Sequence, residues 1–158
     1  MKCIVKSFST TTSHKEDYIL IAIHCNSEPY KLAFEINLKL KTKLKKSALD
    51  ISFKGDNSIF ELYKHISETY NTRLYMISNK CKNNTGFSVL SLFDNLSIST
   101  FLVPELRKAD FLLKIEGGGF RIESLLKKLN EIRSVISSYT VSVNCVKSKY
   151  NLIFEWWN

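Results

Sequence analysis

The chain has 158 residues, 44% of them hydrophobic, which fits one domain with a self-sufficient core and excludes disorder throughout. Twenty-three Lys and Arg against 15 Asp and Glu give a formal charge of +8, a balance that favours a polyanionic partner such as nucleic acid or an anionic membrane face. No apolar run approaches the roughly 20 residues that span a bilayer, so no membrane span is expected.

Residues 1–17 read as a flexible N-terminal arm: the first fifteen are rich in Ser and Thr and contain no Arg, so they lack both the pattern of a transit peptide and the apolar centre of a secretory signal. Residues 18–24 (Tyr-Ile-Leu-Ile-Ala-Ile-His) read as a buried strand, followed by turn signals at Asn26, Ser27, Glu28 and Pro29. A second strand is expected next, forming a hairpin. In it Leu32, Phe34, Ile36, Leu38 and Leu40 point to one face, and Lys31, Glu35, Asn37, Lys39 and Lys41 to the other. The alternation runs on through Lys43 and Lys45, with Lys46 beside them, so the distal end carries ammonium groups about 7 Å apart. Such a row can follow a phosphate backbone, or simply guard a sheet edge against aggregation.

A third strand is expected over 49–53, then Lys54-Gly55. Ser58 with Glu61 three residues on has the spacing of a capping box, and predicts a helix with Ile59, Leu62, Tyr63, Ile66 and Tyr70 as its apolar stripe. Residues 73–78 read as a strand, 79–84 as a surface loop, 85–103 as mixed in signal, and Pro104 as the opening of a short helix to Lys108. Residues 111–115 are strand-like, Ile122, Leu125, Leu126, Leu129 and Ile132 recur at helical spacing, and 135–143 read as the last strand. No repeat or linker divides the chain, so 18–143 is taken as one α/β domain and 144–158 as a C-terminal tail.

Three of the five glycines, Gly117, Gly118 and Gly119, fall between the 111–115 strand and the helix after it. Backbone without Cβ atoms can take positive φ and approach another molecule, and the first amides of a helix lack partners of their own, so a phosphate oxygen fits in front of them. A tight loop chosen for geometry alone satisfies the same residues. Cys3, Cys25, Cys81 and Cys145 form no Cys-x-x-Cys pair, and His14, His24 and His65 stand at no ligand spacing from them, so no metal, cofactor or disulfide framework is expected. Abundant Lys, Asn, Ile, Phe and Tyr with little Gly, Ala and Pro is the bias of AT-rich coding DNA, as in an organelle or an AT-rich microbe.

Four segments in order resemble the small-subunit ribosomal protein S-eleven family: Ile23-His24-Cys25-Asn26, then Phe53-Lys54-Gly55 before a predicted helix, then Gly117-Gly118-Gly119-Phe120-Arg121 leading into Glu123-Ser124, and finally Thr140-Val-Ser-Val-Asn144-Cys145 with Lys147 and Lys149. The family's closing His, Gly and prolines are missing, and its basic tail is replaced by an aromatic one. The resemblance implies a three-layer ribonuclease-H-like mixed sheet with two main helices and an inserted segment over 73–103. It also implies a non-enzymatic role in the platform of the small ribosomal subunit, holding small-subunit rRNA beside neighbouring ribosomal proteins. A mitochondrial matrix ribosome is the expected location, or the cytoplasmic ribosome of an AT-rich organism.

On that expectation the amides of Gly118, Gly119 and Phe120, next to Gly117, hold a phosphate together with the Arg121 guanidinium. Lys39, Lys41, Lys43, Lys45 and Lys46 track RNA, with Lys54, Gly55, Asn144, Lys147 and Lys149 as lesser contacts, and Trp156 and Trp157 meet a protein neighbour. No small-molecule substrate is expected. Two other classes stay open: a metal-dependent nuclease of ribonuclease H type, for which Asp17, Glu35, Asp50 and Glu116 are the available carboxylates, and a basic protein-interaction or membrane-surface module.

Overall fold

The computed structural model describes residues 3–6, 18–53, 58–82 and 100–153. In chain order they form β1 (Cys3–Lys6), β2 (Tyr18–Cys25), α1 (Pro29–Leu40), β3 (Lys45–Lys46), β4 (Asp50–Phe53), β5 (Ile59–Phe60), β6 (Leu62–Ser67), β7 (Thr72–Ser78), β8 (Phe111–Gly117), α2 (Ile122–Asn130) and β9 (Val135–Val141). Short 3-10 turns lie at Pro104–Leu106, Val143–Cys145 and Lys147–Leu152.

The expected α/β class is present, built on a six-stranded sheet in the order β3-β6-β7-β8-β2-β9. Every neighbouring pair in that sheet is antiparallel, where a mixed sheet was expected; the parallel pair is β1 with β4, in a separate small sheet of order β1-β4-β5. Alternation along the central strands supplies two faces. Ile21, Ile23, Leu74, Met76, Leu113 and Ile115 pack beneath α1 and α2 with Leu32, Ile36, Leu125 and Leu129. Leu20, Ala22, Tyr75, Ile77 and Leu112 pack the other way, under Ile51 and Phe60 of the small sheet and Leu102, Val103, Val146 and Leu152. The result is three layers, in which each fully buried aliphatic side chain contributes about 1.5–3 kcal/mol.

Residues 29–40, expected as the second strand of a hairpin, form helix α1 instead. Pro29 occupies the first turn, where its fixed φ suits a helix, and the Glu28 carbonyl accepts the Leu32 amide at 3.0 Å. Leu32, Ala33 and Ile36 give a buried face at helical spacing, while Phe34 and Leu38 are exposed. Lys41 ends the helix in the left-handed region (φ 55°). Residues 58–70, expected as a helix, form β5 and β6. Their aromatic and β-branched side chains favour extended backbone, and Glu61 is drawn to Lys46 and Lys82 rather than to a cap on Ser58.

The strands expected over 49–53, 73–78, 111–115 and 135–143, the short helical turn at Pro104 and the helix after the glycines are all present. Three boundaries change. Cys3–Lys6 of the expected arm is a strand, in register with β4 from Cys3 opposite Asp50 to Lys6 opposite Phe53, where Ile4 and Val5 favour extended backbone. Asn79, expected in a surface loop, is fully buried: its side-chain amide donates to the Leu106 and Ala109 carbonyls at 2.9 and 3.1 Å and its side-chain oxygen accepts the Val103 amide at 2.9 Å. The tail is continuous with the core as far as Leu152, whose carbonyl accepts a 2.8 Å hydrogen bond from the buried Lys114 ammonium.

Candidate nucleic-acid interface

The lysines expected in a row along a strand are arranged around the end of a helix and a tight turn. Asn37, on α1, fixes that turn: its side-chain oxygen accepts from the Leu44 amide at 2.7 Å and the Thr42 hydroxyl at 2.9 Å, and its amide donates to the Leu44 carbonyl at 3.0 Å. Thr42 and Leu44 are thereby buried and Lys41, Lys43 and Lys45 stand outward. No carboxylate among the described residues forms an ion pair with Lys41, Lys43 or Lys45. Lys45 then enters β3 directly opposite Lys64 of β6.

The other two lysines of the expected row are compensated. Lys39 meets Glu131 at 3.5 Å, with both side chains nearly half exposed, so the pair is weak. Lys46 pairs with Asp50 and, at 3.4 Å, with Glu61, and lies over the Tyr63 ring. Burial alone would raise the Glu61 carboxyl, but the hydrogen bond from Lys82 and the charges of Lys46 and Lys82 outweigh it and hold it below its ordinary value. Burial, and then the Glu61 charge, pushes the Tyr63 phenol up to about 12. Lys46 therefore serves an internal network.

His65 and Lys64 belong to the cationic edge but were placed on a helix by the sequence pattern; only the pairing of β3 with β6 brings them to the lysine turn. The His65 Nδ1 accepts the Lys43 amide at 3.3 Å, and burial first, with the Lys43 charge second, lowers its pKa below the ordinary 6.5.

The glycine turn lies at the end of β8, where Gly117 stands opposite Thr72. Gly117 (φ 83°) and Gly119 (φ 114°) both take positive φ, and a Cβ on Gly117 would collide with the Asn71 carbonyl oxygen. The Thr72 hydroxyl donates to the Gly118 carbonyl, fastening the turn to the β6–β7 connection. Gly118 has nothing within 4 Å of its would-be Cβ. Arg121, exposed, is the N-cap of α2 with no side-chain cap bond, and Glu123 places a carboxylate in the first turn. Helix dipole and open amides favour an anion here, but Glu123 already supplies a negative charge.

Ser67, Thr72 and Gly117 share one row of the sheet, and His65 lies two residues before Ser67, so the glycine turn and the lysine turn occupy the same end of the sheet. Strands β6 and β7 lie between β3 and β8, so three interstrand spacings, roughly 14 Å of sheet width, separate them. Asn144, Lys147 and Lys149 lie instead on the tail that covers the opposite layer, Lys149 over the Tyr150 ring at 5.6 Å. Lys54, Gly55, Trp156 and Trp157 lie outside the described residues.

The carboxylates considered for a nuclease are separately engaged. Glu35 accepts from the Ser134 hydroxyl, Asp50 holds Lys46 and the Leu62 amide, and Glu116 holds Lys114 at 2.6 Å and Arg73 at 3.8 Å, while Asp17 lies outside the described residues. Among the described residues no helix is long and apolar enough to cross a membrane. No family model, curated protein or solved structure matches the chain.

Proposed function

We propose that this protein binds folded RNA through its phosphate backbone, as a structural component of a ribonucleoprotein rather than as an enzyme. One observation carries the proposal: Lys41, Lys43 and Lys45 are exposed, held outward by the Asn37 turn and unpaired by any described carboxylate. Three ammonium groups concentrated on one turn displace counterions from a phosphate backbone, and an A-form surface offers phosphates and 2′-hydroxyls at comparable spacing. The glycine turn supplies a second, weaker contact through Gly118 and Arg121.

The small ribosomal subunit, mitochondrial or in an AT-rich organism's cytoplasm, is the specific form proposed, with rRNA and neighbouring ribosomal proteins as partners. Two segments of the family resemblance keep their expected context, the glycine turn before α2 and the end of β9. Two do not, since Ile23–Asn26 leads into a helix and Lys54-Gly55 is followed by strands. The ribonuclease-H-like architecture belongs to the same proposal: three layers support it and the antiparallel pairing of β2, β8 and β9 weighs against it.

Fluorescence anisotropy with a labelled structured RNA at several salt concentrations tests the RNA proposal. Replacing Lys41, Lys43 and Lys45 together by Gln should make the plot of log affinity against log salt shallower by about 2. An unchanged slope excludes the lysine turn as the interface. Co-sedimentation of the native protein with a small ribosomal subunit tests the specific form, and its absence would leave a different ribonucleoprotein.

A further inference from the structure

Helix α1 buries one side only. Tyr30, Phe34 and Leu38, each four residues from the next, are 67%, 60% and 65% exposed. Single exposed apolar residues are ordinary, but three large ones in line make a ridge about 12 Å long on the helix surface. The neighbouring elements use other sides of α1. The α2 end meets it through Lys39 with Glu131 and through Glu35 with Ser134, and the Asn37 side holds the turn to Leu44. Two exposed lysines flank the ridge, Lys31 three residues before Phe34 and Lys41 three residues after Leu38, while the exposed Glu28 at the N-cap acts on Lys82. Glu35, the only carboxylate within α1, is held on the α2 side.

We infer that this ridge docks an acidic amphipathic helix of a protein partner, with Tyr30, Phe34 and Leu38 entering its apolar side and Lys31 and Lys41 meeting carboxylates along its margins. Apolar anchors four residues apart are the spacing by which one helix packs on another, and Leu38 has no ring to offer a base. A second copy of this chain is disfavoured by charge, since it would bring Lys31 and Lys41 of two molecules of net charge +8 together. The inference does not rest on RNA binding: the apolar ridge is separate from Lys43 and Lys45, and Lys41 alone is shared with the proposed RNA contact.

The full chain is titrated by fluorescence anisotropy against a labelled synthetic peptide of about 18 residues, with Leu on one helical face and Glu on the other. A scrambled peptide of the same composition serves as the control. The expected result is saturable binding of the patterned peptide alone, weakened about tenfold or more by Phe34→Glu and by Leu38→Gln and a few fold by Lys31→Glu. Because these side chains are exposed, thermal melting should be unchanged, and Lys43→Gln with Lys45→Gln should leave peptide binding intact. Equal binding of the scrambled peptide, or binding undiminished in the Phe34 and Leu38 variants, overturns the inference. So does a dimer in sedimentation velocity that Phe34→Glu dissociates, or loss of RNA affinity in Phe34→Glu without any peptide binding.

Discussion

The glycine turn and the lysine turn lie at the same end of the sheet and both suit an anion, yet they differ in what else accounts for them. Gly117 and Gly119 are required by packing: positive φ and the approach of Asn71 and Thr72 leave no room for a side chain. Lys41, Lys43 and Lys45, by contrast, stand outward on the surface, and none of them forms an ion pair with a described carboxylate. A residue whose geometry the fold already demands is weak evidence for a ligand. A cluster of like charge that no described carboxylate offsets is stronger evidence, and for that reason the lysine turn is the better candidate.

The sharpest break between the two regions is Gly117→Ala. Positive φ and a collision with the Asn71 carbonyl oxygen should together lower stability by roughly 2–4 kcal/mol, measured by urea denaturation. Gly118→Ala, with open space around it, should change stability by less than about 0.5 kcal/mol. If Gly118→Val leaves both stability and RNA affinity unchanged, the glycine turn is structural only. If it weakens binding in a folded protein, the two turns act together.

Asn37→Ala should come next in size. It removes three hydrogen bonds that hold the turn from Thr42 to Leu44 and should cost about 1–3 kcal/mol. It removes no charge. RNA affinity should nevertheless fall in a variant still folded at the assay temperature, because the lysines are no longer held in one arrangement. Affinity equal to wild type would mean that charge number alone matters. The triple Gln replacement of Lys41, Lys43 and Lys45 makes the opposite change, and should weaken binding about tenfold or more while leaving the melting temperature the same or slightly higher.

These contrasts bear on what the sequence made legible. β2, β7, β8 and β9 were readable because each is a short apolar or β-rich run bounded by Gly, Asn or Ser, and α2 because Leu125, Leu129 and Ile132 keep helical spacing after three glycines. Residues 29–40 were misread because Leu32, Ile36 and Leu40 fit a period of two as well as one of four, and exposed Phe34 and Leu38 completed a false alternation. Pro29 followed by Lys, Leu, Ala and Glu was the local signal for a helix. Residues 58–70 were misread because Ser58 and Glu61 fit a cap, whereas Glu61 is occupied by Lys46 and Lys82 from distant parts of the chain. Most lysines of the site were legible as charge. Which of them the fold neutralises, and the arrival of Lys64 and His65 beside them, depended on strand pairing that no local pattern encodes.

His65 gives the smallest and most local test of where an anion sits. In the free protein its pKa is lowered by burial and by the Lys43 charge, and its Nδ1 must be unprotonated to accept the Lys43 amide. Above pH 6.5 the ring is neutral whether the chain is folded or not, so its contribution to stability is fully present there. As pH falls below that value the unfolded chain takes up the proton first, and stability is lost progressively through the folded pKa. A phosphate bound at Lys43 would offset the repulsion and favour the imidazolium, raising the His65 pKa in the complex. By linkage, RNA affinity should then rise as pH falls through the same window, opposite in direction to the stability of the free protein. NMR titration of the His65 ring with and without RNA measures both values directly. If RNA binds with undiminished affinity and the His65 pKa does not move, the phosphate lies elsewhere, and the glycine turn replaces the lysine turn as the contact to pursue.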